Sequence, residues 1–293
     1  MALQTDKISL PKTVAAAITT KVKDSSTIAA LSPQQPQIFA DADNLVFDGA
    51  AEAEVVAEGA QKSSYEQTLT TVHAKRVKIQ TTTRVSNELQ WADEDNQLQI
   101  LAQIQTDQAA ALGRALDYIV YHAINPKTMT VLSGFDKLSA QAVPVAAASD
   151  ILDSFDKLVS AVNESYDITG LALSKKMANQ MRGHRNTLGA RTWPEIPLNL
   201  QTATVDGLTA ATSSTVSAPK AAVATKVLAF IGDFNLIRWG MVRDMAAEII
   251  PYGDPDHTGV DLKANNQVAF RTEAVLGFSV IDAKGFACLK EAA

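Results

Sequence analysis

Few residue types in this 293-residue chain can do chemistry by themselves, and spacing decides which chemistry is open to them. The histidines His73, His122, His184 and His257 form no HExxH or other close metal-ligand pair. His73 fits a strand face and His122 the polar side of a helix end, so both read as structural. A GxSxG nucleophile elbow, a phosphate-binding P-loop and a GxGxxG dinucleotide turn are all missing. Asp254, Asp256, Thr258, Gly259 and Asp261 echo a calcium loop. Asn265 stands where the bidentate glutamate belongs, however, and no helix pair flanks the segment, so it reads as an acidic turn. Arg182, His184 and Arg185 form one compact basic cluster, read as a solvated helix face in preference to a phosphate site. Trp91, Trp193 and Trp239 are too scattered for a base-stacking platform. A single cysteine, Cys288, excludes an internal disulfide and a cysteine-only metal cluster. The expectation is a protein without metal, cofactor or catalytic constellation.

Composition narrows the classes further. With 46% hydrophobic and 20% charged residues, the chain can build a packed core. Its net charge of −6 has the wrong sign for gripping nucleic acid. No uncharged apolar run approaches the roughly 20 residues of a membrane span. Residues 1–30 lack the layout of a signal peptide. A soluble, cytoplasmic chain is expected.

The elements that would position these residues are uneven along the chain. Residues 1–43 mix Thr, Ala, Ser and Gln around an interruption at Ser32 to Pro36. Leu10, Val14, Ile18 and Val22 permit a short amphipathic helix. Beyond it this arm has little to bury and needs something else to lie against. Residues 44–85 read as a long projecting hairpin with a polar tip from Glu58 to Ser64. In its second strand Val77, Ile79, Thr81, Thr83 and Val85 alternate with polar neighbours. In residues 86–148, Asp93, Glu94 and Asp95 mark a helix start. Leu98, Leu101, Ile104, Leu112, Leu116, Ile119 and Val120 then predict one helix ending at Asn125-Pro126. About 28 helical residues would span roughly 42 Å. The glutamine-rich flank from Asn96 to Leu112 reads equally as a wet face or as a second protein contact.

Residues 149–238 read as α/β. Ser149 or Asp150 caps a helix with the stripe Ile151, Leu152, Phe155, Leu158, Val159 and Val162. Gly170 to Leu173 is a short buried strand, and Ser174 begins a helix through Met177 and Met181 that closes near Gly189. Residues 202–225 read as a surface loop or weak hairpin, and Val227 to Ile231 as a second buried strand. Residues 234–250 suggest further strand, and Val268 to Ile281 a last long one.

Five segments, in order, resemble one family: the major capsid proteins of tailed bacteriophages, with the Hong Kong 97-type fold. "VVAEGAQKSS" (Val55 to Ser64) is similar to the tip of that family's extended loop. "KRVKIQTTTRVSNELQWADED" (Lys75 to Asp95) resembles the strand that leads into the spine helix. "GLALSKKMANQMRGHRNTLGARTWP" resembles the axial strand–helix–glycine segment, and "FIGDFNLIRWG" carries a Gly-Asp-Phe (Gly232 to Phe234) common there. "NNQVAFRTEAVLGFSVIDAKGFACL" resembles the closing strand. The resemblance covers roughly residues 45–290, and the arm more weakly. It implies an α+β phage capsid fold. Its parts would be an N-terminal arm (1–43), an extended β-hairpin loop (44–85) and a peripheral domain with the spine helix (86–148). An α/β axial domain (149–238) and return strands completing both domains (239–293) would follow.

What the resemblance implies about function is geometric. Copies of the chain would form the hexamers and pentamers of an icosahedral shell around double-stranded DNA, enclosed without sequence-specific binding. A scaffolding protein, a portal and a decoration protein are the other partners implied, with no membrane. The family's scaffolding region before the arm has no counterpart here, which implies a separate scaffold or prior processing. Residence in the virion, and in the host cytoplasm during assembly, follows. Some members also join subunits by an isopeptide bond. Lys62 matches their lysine, Asn266 their asparagine, and Glu273 the glutamate base seven residues on. That spacing would put Asn266 and Glu273 on opposite faces of an ideal strand, so Asn266 must sit in the turn before it or a bulge must intervene. The alternatives are an encapsulin-type nanocompartment shell and, more remotely, an enzyme without a recognisable motif.

Overall fold

The computed structural model describes residues 26–35, 43–48, 53–62, 64, 68–96, 100–244 and 247–292. The helix-spaced Leu10, Val14, Ile18 and Val22 lie outside them. In chain order the elements begin with α1 (Thr27–Leu31), β1 (Asp43–Asp48), β2 (Thr68–His73), β3 (Lys75–Ser86), α2 (Asn87–Asn96) and α3 (Ile100–His122). Then come α4 (Leu138–Gln141), β4 (Val143–Ala146), α5 (Ile151–Asn163), β5 (Gly170–Leu173) and α6 (Lys175–Gly183). Seven strands remain: β6 (Thr204–Val205), β7 (Leu208–Thr212), β8 (Val227–Gly232), β9 (Ile237–Asp244), β10 (Glu248–Ile250), β11 (Gln267–Val280) and β12 (Phe286–Lys290).

A six-stranded sheet runs β4-β12-β8-β5-β7-β6, mixing parallel and antiparallel pairs. Its central strands are apolar in nearly every residue because both faces are covered. On one face Leu171, Leu173, Ile231 and Leu289 meet Phe155, Leu158 and Val162 of α5 and Met177 and Met181 of α6. On the other, Ala172, Phe230, Phe286 and Cys288 meet Leu116, Ile119 and Tyr121 of α3. That second core continues into the four-stranded sheet of β3, β9, β10 and β11 through Ile79, Ala274, Leu276 and Phe278. One buried cluster therefore spans both sheets.

Local chemistry sets the boundaries. Asp150 caps α5 by accepting from Leu152 N–H at 3.2 Å, and Ser174 caps α6 by accepting from Met177 N–H at 3.1 Å. Gly232 is required by space: a Cβ there would lie 2.1 Å from the Gly285 carbonyl oxygen. Asp233 then accepts from Asn235 N–H at 3.0 Å and closes a short turn that buries Phe234 edge-on against Phe286. Those contacts account for Gly-Asp-Phe.

Several expectations need correction. Asp93, Glu94 and Asp95 fall in the last turn of α2, not at a helix start; Ser86 Oγ begins α2 by accepting from Leu89 N–H at 3.2 Å. Among the described residues the spine helix is α3, at 23 residues, or about 34 Å, and Leu98 of the expected stripe lies outside them. It ends before Asn125-Pro126 because Ala123 turns left-handed at φ 51°. Helix α6 stops at Gly183, and Gly189 instead turns a loop at φ 80°. Residues 202–225 do contain a hairpin, β6–β7, turned at Asp206-Gly207, but not a surface one. Strand β7 pairs parallel with β5, and Val205, Thr215 and Val216 are fully buried. The arm does not bury little throughout: Ile28 and Ala29 lie in the core. His122 is buried too, with Nε2 2.9 Å from the Val216 carbonyl oxygen.

Phe155→Ala should cost about 3–5 kcal/mol in denaturant unfolding, because Phe155 packs edge-on against Trp193 in a closed core. A wild-type unfolding midpoint would remove that stripe from the core. Burial pulls the His122 imidazole down to about 4, with hydrogen bonds to Val216 and Thr215 opposing. The unfolded chain takes up this proton below pH 6.5 while the folded chain does not. Its contribution, at most about 3 kcal/mol, is therefore full above pH 6.5 and lost as pH falls towards 4. Relative to wild type, His122→Gln should gain stability between pH 7 and 4.5. An unchanging difference across that range would refute the assignment.

Candidate functional site

Among the described residues strands β1 and β2 pair only with each other, Asp43 opposite His73 and Asp48 opposite Thr68, whereas Val77 to Val85, expected as the hairpin's second strand, lie in β3 and pair with β11. Their base is tied to the body: Asn44 Nδ2 donates to Ser279 Oγ at 2.9 Å, and Arg238 donates to Asn44 Oδ1 at 3.1 Å. At the tip, residues 53–62 are exposed except for half-buried Val56, and Val55 is 100% exposed. A turn closed by Ala60 N–H to the Ala57 carbonyl needs Gly59 at φ 80°. Lys62 lies just beyond it, exposed.

Asn266 sits in the turn before β11, left-handed at φ 50° and exposed, a conformation asparagine tolerates. Its carbonyl accepts from Asn87 N–H at 2.9 Å. No bulge intervenes between β11 and β3, whose register is unbroken from Gln267 to Phe278. The loop leading to Asn266 is organised by Arg84, on the neighbouring strand β3. Its guanidinium holds Asp256 through Nε at 2.9 Å and again through Nη2, which also donates to Asp254 at 2.6 Å. Nη1 donates to the Val260 carbonyl at 2.9 Å. Asp254 in turn accepts from Thr258 and Gly259 N–H at 3.0 and 2.7 Å. Hydrogen bonding to Arg84 holds the Asp256 carboxyl below the usual carboxylate range. Bonds from Gly259 and Thr258 do the same for Asp254, against a desolvation that pushes it up. These acids hold a loop together and spend their oxygens doing so.

Glu273 lies within β11, its side chain 14% exposed and 2.8 Å from Lys78 Nζ. Seven residues of extended strand separate it from Asn266 by about 23 Å. The structure thus brings Asn266 to a chain surface and Lys62 to a loop tip, but does not bring the three together in one chain. The basic cluster also disperses. Arg182 donates to Asn179, His184 lies 2.7 Å from the Thr192 hydroxyl, and Arg185 donates to the Gly189 carbonyl. Cys288 is buried, and burial pushes its thiol up to about 12. Sequence reasoning missed Asp117, fully buried on α3. Its signal was an acid set in an otherwise apolar run from Leu116 to Tyr121.

Comparison with known proteins decides what these surfaces belong to. The model of the phage capsid family matches residues 7–290. The chain belongs to the phage capsid family. This capsid protein is 31% identical to a chain of Mycobacterium phage Ogopogo, with a TM-score of 0.79 over 92% of each chain. It is 25% identical to one of Gordonia phage Cozz, with a TM-score of 0.77 over 92% of this chain and 87% of that one. A chain from the "capsid of empty GTA particle" shares the fold at 17% identity and a TM-score of 0.61, covering 92% and 90%. No match is found among curated proteins. The family is structural, and its place is the virion. Arg84 holds the loop from Asp254 to Val260 in this capsid protein. Arg84→Met should speed amide exchange at Thr258 and Gly259 about tenfold while β8 stays protected. Equal protection at Thr258 and Gly259 in wild type and variant would mean the loop orders itself without the guanidinium.

Proposed function

We propose that this capsid protein assembles through its arm and hairpin into the hexamers and pentamers of an icosahedral shell around double-stranded DNA. One observation supports this most: a hairpin tip exposed almost throughout, with Val55 wholly in solvent. Ordering so extended a segment costs roughly 1–2 kcal/mol per residue in backbone entropy, which the tip's own contacts do not offset. A second copy lying along it supplies the missing burial. The net charge of −6 suits a container whose contents must move freely inside it. Among the described residues no helix is long and apolar enough to cross a membrane. Assembly in the host cytoplasm with a scaffolding protein, a portal and a decoration protein belongs to the same reading. Val55→Asp should leave the melt of the unassembled chain within about 0.5 kcal/mol of wild type and abolish particle formation. Wild-type particle yield from this variant would overturn the reading.

The same reading extends to a covalent bond between copies. Lys62 of one copy would attack the Asn266 carboxamide of a second, with Glu273 of a third accepting the proton from nitrogen. The new nitrogen–carbon bond forms as the carboxamide nitrogen leaves as ammonia. Exposure of Lys62 and Asn266 supports this, and the long separation of Asn266 from Glu273 requires different copies. Boiled mature particles should run as ladders on a denaturing gel, each bond lowering the summed mass by about 17 Da. Lys62→Arg should give monomer bands, because a guanidinium stays protonated. Asn266→Asp and Glu273→Gln should also assemble unlinked. A clean monomer band from wild-type mature particles ends the idea.

A further inference from the structure

Residues Ser26 to Gln35 run across the seam where α3, the four-stranded sheet and the six-stranded sheet meet, and they are bonded at both ends. At the first end stands Asp117. Its Oδ1 accepts from the Ser26 hydroxyl and from Ile28 N–H at 3.2 Å. Its Oδ2 accepts from Thr27 N–H at 3.0 Å, the Thr27 hydroxyl at 2.9 Å and the Thr215 hydroxyl at 2.5 Å. The Thr27 proton is spent on Asp117, so the Tyr121 hydroxyl, 3.0 Å away, must donate to Thr27. At the other end Gln35 N–H donates to the Trp239 carbonyl at 2.9 Å. Trp239 Nε1 donates to the Ser32 carbonyl at 3.2 Å, and the Ser32 hydroxyl to the Ile237 carbonyl at 2.6 Å. Between the two ends, Ile28 and Ala29 complete the core that spans both sheets.

The asymmetry of the first end is what matters. Four of the five donors on Asp117 come from Ser26, Thr27 and Ile28, and the fifth from the short turn after β7. Burial pushes this carboxyl up from its usual value, and the hydrogen bonds from Ser26, Thr215, Thr27 and Ile28 pull it back. A fully buried carboxylate without partners is strongly disfavoured, so Asp117 holds the segment and the segment holds Asp117.

We propose that Ser26–Gln35 is a separable strap, latched at Asp117 and at Trp239, that couples the chain before it to the joint between the two sheets. Whatever takes hold of the chain before Ser26 then acts first on the Asp117 latch, and through the strap on β9. The claim concerns the single chain and stands whether or not the cross-link forms. Hydrogen exchange by mass spectrometry on the full, unassembled chain tests it. Thr215→Val removes one donor and no charge. It should speed exchange at Thr27, Ile28 and Gln35 by about tenfold, leaving Phe230, Ile231 and Cys288 within about twofold. Asp117→Asn should act in the same direction and more strongly, since an amide offers one acceptor oxygen where the carboxylate offers two. Unchanged strap amides in Thr215→Val would overturn the latch. Faster exchange at strap and core together would show a strap inseparable from the fold. Faster exchange at Thr27 and Ile28 with Gln35 unmoved would show two ends that are not coupled. Each of those results defeats the proposal, and only the coupled, local loosening supports it.

Discussion

Burial of β5, β8 and β12 on both faces is the constraint on which the remaining structure depends. Phe230 shows it most directly: it stacks on Tyr121 of α3 with ring centroids 4.6 Å apart, while its neighbour Ile231 points into the core beneath α5. A sheet covered twice requires helices on each side, and the chain supplies α3 for one and α5 and α6 for the other. Because α3 also packs on Ile79 and Leu276, the same burial ties the four-stranded sheet to the six-stranded one. The apolar residues are concentrated there, and the hairpin tip is left with Val55 in water. A chain arranged in this way is complete at its centre and incomplete at its edges, as a shell subunit must be.

Sequence legibility followed the range of the interactions. The α5 stripe, the Ser174 cap and the apolar run of β8 all depend on residues within a turn or two, and they read correctly, while of the two caps open for α5, Ser149 and Asp150, the structure uses Asp150. The capsid resemblance rested on several such local pieces in order. What failed to read depends on distant partners. Ser26 meets Asp117 across 91 residues, so nothing near Ile28 betrays its burial. Strand β7 becomes part of the main sheet only by pairing parallel with β5, which its Thr- and Ala-rich composition does not announce. Three consecutive acids looked like a helix start because that rule weighs charge. The hydroxyl of Ser86 had already begun the helix about two turns earlier.

The proposed cross-link residues divide in the same manner. Asn266 needed a turn or a bulge, and a left-handed turn places it at the surface. Glu273 lies within β11 and pairs with Lys78 on the adjacent strand, diagonal to it across the β3–β11 ladder. Arg84 carried no motif at all, and still it organises the loop from Asp254 to Val260 that ends beside Asn266. Chemistry that is split over several copies leaves no compact constellation in one chain.

The central claim is that edges left open in the single chain are closed by other copies of it. Electron cryo-microscopy of the purified full-length protein under assembly conditions tests this most directly. The account predicts closed shells in which residues 53–62 of each copy lie against a neighbouring copy and Val55 is buried. A protein that remains a dispersed 31.2 kDa species, or shells whose hairpin tips stand free in solvent, would contradict it.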